Sequence, residues 1–165
     1  GTLIVADTVP CRNPIKSIAC KREITVVEIR SLRMLMAHGF LRRIFEVFDR
    51  YQTPVDLVTT SEVCVAVTID QTRHIADIER ELGRISDVRV LPHQAILCLV
   101  GDALRETAGI GARIFGALRE INVRMISHGA SFNNVSLVVR DEDVVAAVQA
   151  LHEEFFREVD PEVFE

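Results

Sequence analysis

The sequence predicts an α+β protein made of two copies of one βαββαβ unit, and three observations support this. Segments with the alternation of a strand and segments with the periodicity of a helix follow one another in the same order twice. Two amphipathic segments, "HGFLRRIFEVF" and "GIGARIFGAL", are each led by a glycine, Gly39 and Gly109, 70 positions apart. Apolar residues make up 48% of the 165 residues, which is enough to bury a core.

The first copy opens with the strand "ITVVEIR", followed by a helix that starts at Gly39 and stops before Pro54. The apolar stripe of this helix consists of Leu41, Ile44, Phe45 and Phe48. "VDLVTTSE" and "VCVAVTID" are predicted strands because β-branched residues dominate both. A second helix, with Ile75, Ile78, Leu82 and Ile85 on one face, leads into the strand "VRVLP".

The second copy repeats this order with the strand "AILCLVGD", a helix from about Gly111 to Ile121, and the strands "VRMISHGA" and "NVSLVVR". Its last helix opens near Asp141, a residue type that favours the N-cap. The predicted buried faces are Ile114, Phe115, Leu118 and Ile121 in one helix, and Val144, Val148, Leu151 and Phe155 in the other. We align Val65 and Val67 with Leu137 and Val139, at an offset of 72, and therefore expect a longer loop in the second copy.

Counting strands leaves the second copy one strand short and the N-terminal "GTLIV" unassigned. We therefore predict one domain over 24–92 and a second made of 1–23 together with 93–157, whose sheet the N-terminal strand completes. Residues 158–165 are predicted to be a flexible tail. Each domain has the ferredoxin-like arrangement, with helices on one face of an antiparallel sheet.

Composition argues against several functions. A net charge of −5, a pI of 5.6 and an aromatic content of 5% do not suit a nucleic-acid surface. Apolar runs are too short to span a bilayer, and no secretory signal is present. The buried contexts of Cys64 and Cys98 predict reduced core thiols in a cytoplasmic protein. Scattered histidines predict no metal site, and a start at Gly1 without Met indicates a fragment or a processed product.

The glycine-led helix start has the chemistry of a carboxylate site. The first amides of a helix lack intrahelical partners and carry a partial positive charge, and Gly39 permits close approach. Asp56, Ser61 and Glu62, on the following strand, offer acceptors for an ammonium group. Two simpler interpretations stay open: the glycine only makes the turn, and the acids are ordinary solvated charges.

Longer motifs carry a family resemblance. "SLRMLMAHGFLRRIFEVFDRYQTPVDLVTTSEVCVAVTID" is similar to the regulatory region of aspartate kinases, "VRMISHGASFNNVSLVV" resembles its second regulatory module, and "GTLI" resembles the segment after the catalytic domain. The resemblance implies two ACT modules, small ferredoxin-like units that bind amino acids. It also implies feedback inhibition of aspartate phosphorylation by lysine, threonine or another end product. "GFL" and "VDLVTTSE" resemble the lysine-responsive branch.

The resemblance also implies a binding site. Positions that contact the effector in the family match Met34, Phe40, Leu41, Val55, Asp56, Ser61 and Glu62, to which the backbone argument adds Gly39. Ala37 and Pro54 stand where lysine-sensitive relatives often have serine, which puts the preferred amino acid in doubt. In the second copy Arg124 is in register with Asp56, so that copy is less suited to a cation, and packing is its expected role.

The expected partners are free lysine, a second copy of the chain and the kinase catalytic domain, with no nucleic acid and no membrane. No catalytic phosphate loop occurs in the sequence, so we expect no enzymatic activity and no cofactor here, and ATP and Mg only with a catalytic domain. Two alternatives stay open. One is a regulatory small subunit of the acetolactate synthase type, which takes an apolar amino acid; the other is a dimerisation module without a ligand.

Overall fold

The computed structural model describes residues 13–31 and 38–158. Within these ranges the chain forms one antiparallel sheet in the order β2-β3-β1-β4-β6-β5, with four α-helices. The elements are β1 (Ser17–Arg30), α1 (Phe40–Arg50), β2 (Val58–Thr60), β3 (Cys64–Ile69), α2 (Ile75–Leu82), β4 (Asp87–Val100), α3 (Ile110–Ala117), β5 (Met125–His128), β6 (Asn134–Arg140) and α4 (Val144–Phe156). The predicted α+β class with antiparallel strands is confirmed.

The strands β1 and β4 are unexpectedly long, with 14 residues each. The prediction of two separate strands for "VRVLP" and "AILCLVGD" was wrong, because both belong to β4. The pairing of β1 with β4 shifts register after Lys21, and Glu23 and His93 have positive φ angles of 55° and 56°. Such bulges let a strand change direction while its pairing continues, so the two predicted sheets are one.

The two halves of this sheet have matching strand orders. Residues 25–30 pair with β3 on one side, and residues 26–30 pair with the start of β4 on the other. Residues 17–21 pair instead with 96–100, which pair in turn with β6. The predicted N-terminal strand "GTLIV" lies outside the described residues, and 17–21 takes the place beside the second half. The bulges fall at the predicted domain boundaries, although the division into two domains stays a prediction.

The core has three parts. Residues under α1 and α2 form one cluster and residues under α3 and α4 form a second. The third consists of Ile24, Val26, Met125 and Val138, which alternate with residues of the other two clusters and therefore lie on the opposite face of the sheet. The edge strands β2 and β5 are in contact, so the sheet folds over and buries its helix-free face.

Several local predictions need correction. Leu41 and Phe115, both expected on buried stripes, are 44% and 41% exposed, and Val47 is buried under α1 in place of Leu41. Asp141 does not cap α4, because its carboxylate pairs with Arg22 instead. Of the predicted strand "VDLVTTSE", β2 comprises Val58–Thr60 alone. The thiols of Cys64 and Cys98 are half-buried rather than fully in the core.

The structure also corrects the register of the repeat. The amide of Ser31 donates to the carbonyl of Val63 at 2.9 Å, and the amide of Gly101 donates to the carbonyl of Asn133 at the same distance. Gly101 is 70 positions after Ser31, and Asn133 is 70 positions after Val63. The strands β3 and β6 therefore align at an offset of 70 rather than at the predicted 72. The loop of the second hairpin is still longer than that of the first. Val58 pairs with Val67 in the first hairpin and Ile126 pairs with Leu137 in the second, so β5 is offset from β2 by less than β6 is from β3.

Candidate functional site

The start of α1 has the glycine-led backbone geometry on which the sequence-based prediction of a carboxylate site depends. Gly39 lies in the left-handed region, with φ 78° and ψ 9°, and a side chain at this residue would meet no atom within 4 Å. The first bond of the helix runs from the amide of Arg43 to the carbonyl of Gly39. Helix geometry leaves the amides of residues 40–42 without partners inside the helix, so they can donate to a carboxylate.

The two side chains after Gly39 point into different environments. Phe40 is 7% exposed and belongs to the core under α1 and α2, so it anchors the helix start. Leu41 is 44% exposed and lies on the outer surface of the same turn. Of the two, Leu41 is the one that is accessible at the surface. Met34 lies outside the described residues.

Asp56 lies at the other end of α1. The amide of Thr53 donates to the carbonyl of Phe48 in the last turn, and the amide of Asp56 donates to the carbonyl of Thr68. The end of the helix is therefore close to Asp56, whereas its start is 11 residues, or about 16 Å, away along the axis. Val55, beside Asp56, is partly buried and packs on the core.

Ser61 and Glu62 lie at the end of β2 that is remote from Asp56. The amide of Ser61 donates to the carbonyl of Cys64, and the amide of Cys64 donates to the Ser61 hydroxyl at 3.1 Å. These bonds close the turn into β3, and Glu62 is exposed within it. Ser61 is five positions beyond Asp56, which in an extended chain corresponds to about 16 Å.

The predicted site residues therefore form two groups in a single chain. Ser61 and Glu62 lie near the end of β1, because the amide of Ser31 donates to the carbonyl of Val63. The helix start lies toward this end of the sheet as well, because the opposite end of α1 is beside Asp56. Asp56 and Val55 form the second group at the opposite end of β2. The structure does not bring Asp56 to the helix start of its own chain.

The Asp56 carboxylate pairs with an ammonium group of the protein itself. Nζ of Lys21 is 2.6 Å from Oδ2 of Asp56 and 2.9 Å from Oδ2 of Asp70. Hydrogen bonds to Asp56 and Asp70 raise the pKa of Lys21, and the bond from Lys21 holds the pKa of Asp70 below its usual value. Sequence reasoning missed Lys21 and Asp70, and no local signal pairs residues that meet only at the bend of the sheet.

The equivalent place in the second half is built differently. The amide of Arg124 donates to the carbonyl of Val138, as that of Asp56 does to Thr68, so a cation occupies the position of the acid. The loop before α3 is bonded to the β5–β6 hairpin through Asn133, whose side-chain oxygen accepts from the amide of Ala103. The guanidinium of Arg105 also lies 5.2 Å from the centre of the Phe132 ring. These contacts connect the loop before α3 to the β5–β6 hairpin.

In the described part of the chain, no group of three or more His, Cys, Asp or Glu side chains is arranged to hold a metal ion. Over the same residues, no helix combines the length and the apolarity needed to cross a bilayer.

Comparison with known proteins adds the family. Residues 97–155 match the model of the ACT domain. A solved structure described as the C-terminal regulatory domain of aspartate kinase from Porphyromonas gingivalis W83 is 44% identical, with a TM-score of 0.77, and the alignment covers 87% of this chain and 99% of that one. The chain belongs to the aspartate kinase regulatory domains.

Longer aspartate kinases match over the same region. Lysine-sensitive aspartokinase 3 of Escherichia coli K12 is 36% identical across 94% of this chain and 36% of its own length. The structure of E. coli aspartokinase III in complex with lysine and aspartate is 35% identical, with a TM-score of 0.84, over 94% of this chain and 36% of that chain. The regulatory region thus spans about a third of the length of the curated relatives it matches.

Proposed function

We propose that this regulatory region senses free lysine and, within an intact aspartate kinase, transmits feedback inhibition of aspartate phosphorylation. The observation that carries the proposal is the partly exposed carboxylate of Asp56, which already pairs with a primary ammonium, that of Lys21, at 2.6 Å. The lysine complex of the E. coli relative supports the same effector. A cationic ligand also distinguishes this proposal from a regulatory subunit that takes an apolar amino acid.

The separation of the two groups of site residues supports a site shared by two chains. Two copies that pack through the helix side of their first halves, related by a two-fold axis, run α1 and β2 in opposite directions, which places Asp56 of one copy near the helix start of the other. The helix amides would then bind the carboxylate of lysine while Asp56 of the second copy binds an ammonium group. We therefore propose that the effector-binding form is a homodimer.

Exposed apolar side chains on the first half suit this arrangement. Leu41 on α1 is 44% exposed and Val58 on β2 is 39% exposed. Val58 pairs with Val67 of the core under α1, so it lies on the helix side of the edge strand. A second copy would cover both side chains and exclude water from the stem of a bound lysine.

Binding across a dimer would produce regulation by a shift of population. A ligand that binds only the paired arrangement stabilises it relative to others, and a coupling of about 1–3 kcal/mol is usual for such effects. In the intact protein the paired form would hold the kinase domain less active. The described cysteines Cys20, Cys64 and Cys98 are free thiols, the state expected in a reducing compartment, which supports our proposal of a cytoplasmic location.

A thermal-shift screen of the twenty amino acids on the 165-residue chain tests the proposal. Lysine at about a hundred times its dissociation constant should add about 2.7 kcal/mol of stability. Asp56→Asn should weaken lysine binding by about tenfold or more, because a charge-assisted bond is lost. Arg124→Gln, at the equivalent position of the second half, should leave the affinity unchanged.

Three results would decide against the proposal. A shift with valine but not with lysine would indicate an effector of the apolar class. Equal lysine affinity in Asp56→Asn and the unmodified chain would remove Asp56 from the site. A dimer in light scattering that no amino acid stabilises would indicate an assembly domain without a ligand.

A further inference from the structure

The ammonium that occupies Asp56 comes from a strand of the other half of the sheet. Lys21 pairs with Ile96 in the part of β1 that belongs with β6 and α4. Asp56 and Asp70 belong to the first half, since one precedes β2 and the other follows β3. The ion pairs therefore connect the two halves at the point where the sheet bends.

These ion pairs are accessible to a competing cation. The side chains of Lys21, Asp56 and Asp70 are 44%, 32% and 39% exposed. Lys21 contacts one oxygen of each carboxylate, Oδ2 in both cases. Exposed ion pairs contribute little free energy, so a ligand with additional contacts can displace one.

The next residue, Arg22, provides a contrast. Its guanidinium bonds to both carboxylate oxygens of Asp141, at 2.6 and 3.0 Å, so its partner lies just before α4 in the second half. Arg22 thus stays within one half, whereas Lys21 links both.

We propose that Lys21 is a tethered ammonium that competes with the cationic effector for Asp56, and that Asp70 retains Lys21 when the effector takes its place. The proposal rests on the function proposed above. Lysine carries the same primary ammonium as the Lys21 side chain, so either one satisfies the same carboxylate. Asp70 keeps the displaced ammonium paired and away from the bound ligand, which limits repulsion between the two cations.

This competition would serve selectivity and signalling together. A simple amine gains only the Asp56 contact and has no advantage over Lys21, which is already tethered there. Free lysine adds a carboxylate that the helix amides can bind, so it can displace Lys21 where a simple amine cannot. The displacement also breaks one of the two ion pairs that Lys21 makes with the first half, which couples binding there to the bend of the sheet.

The direction of a single affinity change tests the proposal. In calorimetric titrations of the 165-residue chain, Lys21→Met should bind lysine about two- to fivefold more tightly, the range that an exposed ion pair allows. Arg22→Met changes the net charge by the same amount and should leave the affinity unchanged. Asp70→Asn should weaken binding by a similar factor in the unmodified chain and less in Lys21→Met. Weaker or unchanged binding in Lys21→Met would overturn the proposal.

A measurement on the unmodified chain removes the dependence on variants. The Lys21 ammonium can be followed by ¹⁵N NMR during titration with lysine, and its resonance should shift as Asp56 is released, while methylamine at the same concentration should leave it in place. A resonance that stays unchanged at saturating lysine would overturn the competition and leave lysine sensing intact. If neither the unmodified chain nor Lys21→Met binds lysine, the proposed function itself fails. Binding by Lys21→Met alone would support both proposals.

Discussion

The start of α1 and the start of α3 have nearly the same backbone. Gly39 has φ 78° and ψ 9°, and Gly109 has φ 78° and ψ −3°. Each glycine carbonyl accepts the first helical bond at 3.2 Å, from Arg43 in one copy and from Arg113 in the other. In neither copy would an added Cβ meet an atom within 4 Å.

The surroundings of the two starts differ in charge. Asp56 places a carboxylate at the edge of the first half, whereas Arg124 places a cation at the equivalent position of the second. In the second half, Asn133 and Phe132 of the hairpin bond to the loop before the helix. A glycine-led helix start is therefore common to a half with a carboxylate at this position and a half with a cation there. The comparison teaches that the glycine makes the turn in both halves, so that any difference in binding between them has to come from the surrounding residues.

The largest expected effect is the loss of stability when a core residue under α1 or under α3 is shortened. Ile44 and Ile114 are equivalent and fully buried, so replacing either with alanine should destabilise the chain by about 3 kcal/mol. Because β1 and β4 run through both halves, we expect one cooperative transition in urea for each variant. Two separated transitions, by fluorescence and circular dichroism, would show that the halves unfold independently.

A smaller effect is expected at the two glycines. Gly39→Ala and Gly109→Ala should each cost about 1–2 kcal/mol, because alanine is strained at positive φ although there is space for its methyl group. Thermal unfolding should give similar losses for the two variants. Lysine affinity should fall in Gly39→Ala and stay unchanged in Gly109→Ala. A loss of affinity in Gly109→Ala alone would mean that lysine binds in the second half, contrary to our proposal.

The smallest effect concerns pH. Lys21 holds the pKa of Asp70 below its usual value in the first half, and Arg22 does the same for Asp141 in the second. A lowered carboxyl pKa stabilises the fold above the unfolded pKa, and this stabilisation is lost as the pH falls through the folded pKa. In NMR titrations, Lys21→Met should raise the pKa of Asp70 and leave that of Asp141 unchanged, and Arg22→Met should do the reverse. If either substitution changed the pKa of both Asp70 and Asp141, the two ion pairs would not be independent of each other.

Local periodicity was sufficient to predict most elements and insufficient to predict their continuity. Each helix or strand pattern involves residues that are only a few positions apart in the chain. For this reason α1, β3 and β6 appear nearly where they are expected. The correction from 72 to 70 illustrates the limit. Both offsets keep the same side chains on the same face of the strand, so alternation alone cannot distinguish them.

The sequence by itself determined the α+β class, the two copies and the glycine-led helix starts, because each of these depends on residues close together in the chain. Only the tertiary structure decided that β1 and β4 run through both halves, that Asp56 lies far from its own helix start, and that Lys21 holds Asp56. These features depend on contacts between residues that are far apart in the chain and meet at the bend of the sheet. Such contacts balance the entropic cost of closing a long loop against the free energy gained by pairing, and neither quantity appears as a periodic pattern in the sequence.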